Sequence, residues 1–314
     1  MTDFAIKVSV ITPNFNHAKY LHQRLESIFN QTFQDFEVII LDDCSTDGSK
    51  EVFEEYRNHP QISHVIYNEK NSGSPFKQWA KGIELARGEY VWIAESDDWA
   101  ELTFLEKLVP ILDCDEKLSL VFCNSYNENG SLSAKPQNPF DKTRRICKKE
   151  MLKDYMCWGC AVYNASSVLF RRRLAVDVDK DYQGYCSSGD YLFWMHLIEL
   201  GDLYYYHVPL NHYRIHDLNK STTERVSGKA FFEDLEIFRY KKEKGYLSFY
   251  KKSAIVLSNL DYINQQIKKF PHNTMLHAAQ MSWRKEVFSI KFSAIVVKIS
   301  ECIWRVFKRL KNSR

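Results

Sequence analysis

The first 125 residues switch hydrophobic period repeatedly, and this alternation limits the fold more than any other feature. Apolar, β-branched runs at residues 8–12, 37–41, 64–67, 90–94 and 119–123 are short enough to be buried strands. Between them, residues 20–30, 49–56, 76–86 and 102–112 carry the amphipathic period of two to three helical turns. Strand–helix–strand repetition predicts an α/β domain, a mostly parallel sheet flanked by helices. Ligands of such sheets bind beyond the carboxyl ends of the strands.

Three of those ends are polar. The first strand runs into TPNFN (residues 12–16), the second into LDDCSTDGS (41–49) and the fourth into IAESDDW (93–99). Asp42 and Asp43 suit turns, and Ser45 or Asp47 suits the cap of the next helix. Capping is the expected role of Asp47. Glu95, Asp97 and Asp98 are more than one turn needs. Carboxylates gathered at one rim repel unless a cation or hydrogen-bond donors compensate. Hard-oxygen donors at this density suit Mg²⁺ or Mn²⁺.

Downstream, residues 126–150 are polar and turn-rich, as expected of a long loop or domain boundary. The pattern is mixed to about residue 225, then helical almost to the end, with breaks near Gly245 and at Pro271. The net charge of +3 is too balanced for a nucleic-acid binder. Seven basic residues and one acidic residue lie between Lys291 and Arg314, so this segment carries +6 and the remainder −3. Ile295, Ile299, Ile303, Val306 and Leu310 fall on one helical stripe there, with Lys298, Arg305, Lys308 and Arg309 off it. A basic amphipathic helix suits an anionic membrane surface, with Trp304 at headgroup level. A helix packed on the domain or on a second subunit is the alternative. Eight cysteines are too few for a disulfide scaffold, and MTDFAIKVSV lacks signal-peptide features. No window holds ~18 uninterrupted apolar residues. We expect free thiols and a cytoplasmic protein, peripheral on the inner face of the cell membrane. Cys157 and Cys160 have CxxC spacing without a second pair, so buried thiols are the expected reading.

The ordered set VSVITPNFN, QTFQDFEVIILDDCSTDGS and NSGSPFKQWAKGIELARGEYVWIAESDD resembles the family 2 glycosyltransferases of the GT-A fold. The resemblance is close from residue 8 to 124 and looser to about 222. It implies a Rossmann-like GT-A sheet with a helical C-terminal extension. Residues 1–125 would be the nucleotide-sugar-binding half, 126–225 the half carrying the acceptor site and catalytic base, and 226–314 the extension. It also implies transfer of a sugar, with inversion, from a nucleotide-diphospho-sugar, expected to be a UDP-sugar, to a glycan or lipid-linked acceptor of surface-polysaccharide synthesis. By position, Pro13 and Phe15 would line the nucleobase pocket and Asp43 would bond the base. Glu95–Ser96–Asp97–Asp98 stands where the family carries its DXD metal motif, with Glu for the commoner first Asp. The Mn²⁺ or Mg²⁺ contact therefore falls on Asp97 and Asp98, Asp97 also facing the donor.

SSGDYLFW (187–194) resembles the segment with the general base, which would be Asp190. The family often has Glu-Asp there, whereas this chain has Gly189–Asp190. Asp190 equally suits the cap of the following helix. In HYRIHDLNKST (212–222), Arg214 would contact the diphosphate and His216 would be a metal ligand; a lone His also suits an ordinary surface or core position. The processive signature QxxRW does not occur, which disfavours polymer synthesis by this chain alone. By the resemblance, Trp158, Tyr163 and Asn164 would lie where the family meets its acceptor, and they suit a pocket or packing equally; Trp79 and Lys81 read as structural. A nucleotidyltransferase would carry a Gly-rich loop after the first strand, where this chain has PNFNH. A dinucleotide dehydrogenase would need G-x-G-x-x-G, which follows no strand. A non-catalytic, membrane-associated nucleotide-binding protein of the same fold is the alternative outside enzymes.

Overall fold

The structure is a computed structural model, which describes residues 6–127, 140–214 and 220–289. The chain divides into two compact units, one of residues 1–156 and 160–216, the other of 157–159 and 217–314.

The first unit is built on a nine-stranded sheet. Its strands are β1 (Val8–Asn14), β2 (Phe36–Asp42), β3 (Ile62–Tyr67), β4 (Tyr90–Ile93), β5 (Trp99–Ala100), β6 (Leu118–Asn127), β7 (Arg144–Ile146), β8 (Val168–Arg171) and β9 (Asp202–Tyr213). They lie in the order β3-β2-β1-β4-β8-β6-β9-β5, with β7 on β9. The sheet is parallel through β3-β2-β1-β4 and again between β6 and β9. β8 runs antiparallel between β4 and β6. The helices α1 (Ala18–Phe29), α2 (Ser49–Tyr56), α3 (Pro75–Leu85) and α4 (Phe104–Cys114) fall within a few residues of the periodic segments. Two single turns, α5 (Lys148–Glu150) and α6 (Arg172–Ala175), precede α7 (Gly189–Leu200).

Every residue of β1 and β2 is buried, which is why these runs are mainly apolar on both faces rather than alternating. Val10, Val38, Ile40 and Trp92 from the sheet pack with Leu21, Leu25 and Ile28 from α1. Helix α3 comes unusually close to β1. A Cβ at Gly82 would stand 2.4 Å from the Ile11 side chain, so glycine is what permits this approach. Among its described residues, the turn-rich segment 126–150 hides a strand, β7. β7 is only three residues long, and its partner β9, not its own composition, makes it a strand.

The consequence for function lies in strand order. β2 flanks β1 on one side and β4 on the other. The connections from β1 to β2 and β3 run to one side of β1 and the one from β3 to β4 crosses to the other, a reversal that opens a crevice at the carboxyl end of β1. The loops after β1, β2 and β4 meet there.

In the second unit, α8 (Lys220–Ser227), α9 (Ala230–Glu243), α10 (Phe249–Lys269) and α11 (Thr274–Ser289) surround Phe231, Leu235, Phe238, Val256, Ile263, Leu276 and Trp283. Gly245, at φ 71°, follows α9, and Pro271 follows α10, at the two expected breaks. Among the described residues no helix is long and apolar enough to cross a membrane. The basic stripe 291–314 lies outside the described residues.

At the opposite end of β1, Glu37 is a buried carboxylate. It accepts bonds from Ser9 Oγ (2.7 Å), Arg87 N (2.8 Å) and Arg87 Nε (2.9 Å). Burial pushes its pKa up, but the bonds from Arg87 and Ser9 outweigh burial and hold it below the ordinary range. The stabilisation is complete above the unfolded value of about 4.3 and is lost as the pH falls through the folded one. We expect Arg87→Ala to lower stability at pH 7 by about 1–2 kcal/mol, reduced because the guanidinium is largely in water. Urea unfolding at pH 7 and pH 3 checks this. The deficit should shrink at pH 3, and an equal deficit at both would contradict it.

Candidate active site

The loops after β1 and β2 are locked together. Asn14 Nδ2 donates to Asp42 Oδ1 (2.7 Å) and to Ser45 Oγ (3.1 Å), while Asn16 N donates to Ser45 Oγ (2.9 Å). Thr46 N returns a bond to Asn16 Oδ1 (2.8 Å). Asn16 and Cys44 both sit at positive φ, 59° and 66°, a conformation that asparagine tolerates better than cysteine. Asp47 takes the expected capping role. Its carboxylate accepts from Ala18 N and Ser49 N, at the starts of α1 and α2. Burial pushes Asp47 up, but the bonds from Ser49 and Ala18 hold it below its usual pKa.

At the carboxyl end of β1, Thr12 Oγ1 and Asn14 Oδ1 are buried and have no hydrogen-bond partner. Buried polar atoms left open in this way are uncommon and mark a place where another molecule can bond. Phe15, two residues on from Pro13, is 46% exposed. Pro13 itself is buried in register with Leu41. Asp43 is buried too, and its carboxylate holds the loop before α3. It accepts from Asn68 Nδ2 (2.7 Å), Ser72 N (2.9 Å), Ser72 Oγ (2.8 Å) and Gln78 Nε2 (2.9 Å).

The acidic loop after β4 lies beside these two. Trp79 Nε1 donates to Glu95 Oε1 (2.8 Å), so the indole read as structural reaches the site. Burial, then the charge of Asp97, pushes Glu95 up to about 8. His17 Nδ1 bonds Ser96 Oγ at 2.8 Å. Asp98 is 1% exposed. Its Oδ2 accepts from Asn164 Nδ2 (2.9 Å) and its Oδ1 from Arg214 N (3.2 Å). Burial first, and Asp97 second, raise its pKa well above the usual carboxylate range. Among the described residues, no three His, Cys, Asp or Glu side chains form a ligand cluster.

Arg214 does lie against this loop. It donates to Asp97 O (2.6 Å) and to Gln23 Oε1, with its guanidinium 4.7 Å from the centre of the Tyr20 ring. His216 lies outside the described residues. Sequence reasoning passed over Arg24 on α1, which is fully buried beneath the same loop. A signal existed: with Leu21, Leu25 and Ile28 it shares the apolar stripe of α1, where a solvated arginine has no place.

Asp190 occupies the first turn of α7, where its carboxylate accepts from Tyr191 N (2.8 Å). The segment just before it leans on the start of α3: Ser74 Oγ donates to Tyr185 O, and Cys186 Sγ bonds Gly73 O at 3.5 Å. A Cβ at Gly189 would meet the Phe76 ring at 2.4 Å and Tyr182 O at 2.7 Å. Phe76 packs edge-on against Trp79, with ring centres 5.2 Å apart. Packing thus links the Asp190 segment to the residue that bonds Glu95. Tyr163 packs against Tyr213 at 5.4 Å, whereas Trp158 belongs with the second unit.

Comparison with known proteins agrees with this geometry. A family model described as glycosyl transferase family 2 matches residues 9–178, more than half of the chain. The chain belongs to glycosyl transferase family 2. It is therefore an enzyme, a glycosyltransferase, and its sheet is the GT-A-type sheet anticipated from the motifs. TuaG of Bacillus subtilis (strain 168), named for teichuronic acid biosynthesis, is 39% identical over 107 residues, 34% of this chain and 42% of TuaG. TarS of Staphylococcus aureus (strain Mu50), a poly(ribitol-phosphate) beta-N-acetylglucosaminyltransferase, is 37% identical over 110 residues, 34% of this chain and 19% of TarS. These matches span less than half the length of either relative. The crystal structure of TarS 1–349 shares the fold at TM-score 0.62 and 20% identity, over 91% of this chain and 90% of that one.

Phe76 explains why this glycosyltransferase has glycine at position 189. We expect Gly189→Ala to lower stability by about 1–3 kcal/mol, since the backbone oxygen of Tyr182 cannot give way. Chemical denaturation checks this. A variant as stable as the parent would show that α7 can shift at no cost.

Proposed function

We propose that this enzyme moves a sugar from a UDP-sugar to a hydroxyl of a glycan or lipid-linked acceptor in surface-polysaccharide synthesis, with inversion and one residue at a time. The observation that carries the reading is the convergence of three strand-end loops on one crevice, with Thr12 Oγ1 and Asn14 Oδ1 open beside the acidic loop. The choice of UDP is supported by TarS 1–349, which has been solved with UDP and with UDP-GlcNAc and has a related fold at TM-scores of 0.58 and 0.61. The names of TuaG and TarS support a polysaccharide or polyol-phosphate setting.

In this reading the exposed ring of Phe15 stacks on the nucleobase, with Pro13 behind it. Asp43 completes the pocket wall through the loop it holds, and Thr12 and Asn14 accept from nucleotide N–H or O–H groups. Arg214 serves the diphosphate, whose charge grows as the bond to the sugar breaks. The donor chemistry of Asp97 and Asp98 fits a divalent cation. Their like charges raise the cost of ionising this buried loop, and Mg²⁺ or Mn²⁺ takes one or two carboxylates and completes its shell with phosphate and water. Asp97 and Asp98, with His216, would hold the cation, whose chemistry is to neutralise the leaving diphosphate. Asp190 accepts the proton of the acceptor hydroxyl as that oxygen attacks the anomeric carbon from the face opposite the diphosphate.

The basic stripe 291–314 would hold the enzyme to the cytoplasmic face of an anionic membrane. Vesicle co-sedimentation of the intact protein, and of a form ending before Lys291, tests this; only the intact protein should sediment, less so in high salt.

Two variants test the site by opposite outcomes. Asp98→Asn should abolish turnover and most of the Mn²⁺-linked affinity for UDP. Asp190→Asn should bind UDP and Mn²⁺ normally, yet transfer ~10²-fold more slowly or worse. Calorimetry and a UDP-sugar hydrolysis and transfer assay measure both. Loss of donor affinity in Asp190→Asn would place that residue in the donor site, and unchanged turnover in Asp98→Asn would remove the metal assignment.

A further inference from the structure

Arg24 is buried where a positive charge is costly. It is 0% exposed. Its Nε donates to Glu95 O (2.9 Å) and one terminal nitrogen to Ser166 Oγ (2.9 Å), while the other terminal nitrogen has no partner. The guanidinium lies 5.2 Å from the centre of the Trp92 ring. Ser166 is itself fixed, since its carbonyl accepts from Trp92 Nε1 (2.8 Å) and its Oγ accepts from Glu95 N (3.1 Å). Desolvating an incompletely bonded arginine costs several kcal/mol unless opposite charge offsets it. The charges that favour it are Asp98, Asp97 and Glu95, and Arg214 opposes it. Two neutral bonds would be served as well by an uncharged side chain. The charge is what requires explanation.

We propose that Arg24 is a fixed internal counter-cation of the Glu95–Asp98 loop, a positioning residue that sets how tightly the loop takes a divalent cation. This rests on the metal reading given above. With one positive charge already beneath it, the loop keeps its shape without metal and holds a cation weakly by itself. Firm cation binding then needs the diphosphate of the donor, so cation and nucleotide arrive and leave together.

The test compares Arg24→Met, which removes the charge, with Arg24→Lys, which keeps it but disturbs the same two bonds. Mn²⁺ binding to the full chain is followed by electron paramagnetic resonance at pH 8.5, with and without UDP, and thermal unfolding is followed in metal-free buffer. Arg24→Met should bind Mn²⁺ about tenfold more tightly without UDP, as expected for removing a nearby unit charge. It should depend less on UDP for that binding. Arg24→Lys should stay within about threefold of the parent. Equal shifts in the two variants, or weaker binding in Arg24→Met, would overturn the proposal and leave Arg24 a packing residue. If neither parent nor variants bind Mn²⁺ even with UDP, the metal reading fails by itself. Metal-free unfolding then decides the counter-charge: a midpoint for Arg24→Met well below that of Arg24→Lys sustains it, and equal midpoints overturn it. Should Arg24→Met not fold, adding Asp97→Asn restores folding if charge balance is the cause, and fails to do so if packing is.

Discussion

The clamp on Asp98 is the constraint on which the site depends. One oxygen is held by Asn164 from the turn before β8, and the other by the backbone of Arg214 just after β9. These segments are separated by 66 and 116 positions from Asp98, and only the completed sheet brings them together. Behind the clamp, Asn211 Nδ2 donates to Asn164 Oδ1 (3.3 Å) and Ser125 Oγ (3.1 Å), fixing which way the Asn164 amide faces. A buried carboxylate next to a second carboxylate is costly, and donors placed on both of its oxygens lower that cost. The loop after β4 therefore has its shape only when β6, β8 and β9 are in place. Segments from the first and the later part of the sheet thus share one carboxylate.

Much of this was legible in the sequence. The runs forming β1, β2 and β4 and the helices between them announced themselves because central parallel strands are apolar on both faces and their covering helices are apolar on one. Strand-end motifs followed from the same rule, since polar residues after a buried strand must be where it leaves the core. β5, β7 and β8 were not legible. They are two to four residues long and owe their state to a partner strand rather than to their own pattern. Asp43 and Arg214 illustrate the other limit. Motif position put them at the site, but the bonds from Asn68, Ser72 and Gln78 to one, and from the other to Gln23 and Asp97, come from segments with no sequence link to them.

Glu95 and Gly189 meet in one line of contacts. Glu95 reaches Trp79 Nε1, Trp79 packs edge-on against Phe76, and the Phe76 ring fills the space over Gly189. An aspartate at 95 would be one methylene shorter and would leave the buried indole N–H without its acceptor, at a cost of about 1–3 kcal/mol. A glutamate at 189 could not coexist with the Phe76 ring. The longer acid at one end and the missing side chain at the other are thus two consequences of packing Phe76 and Trp79 between the acidic loop and α7. The pair thus fixes where α7 begins, and with it the position of Asp190.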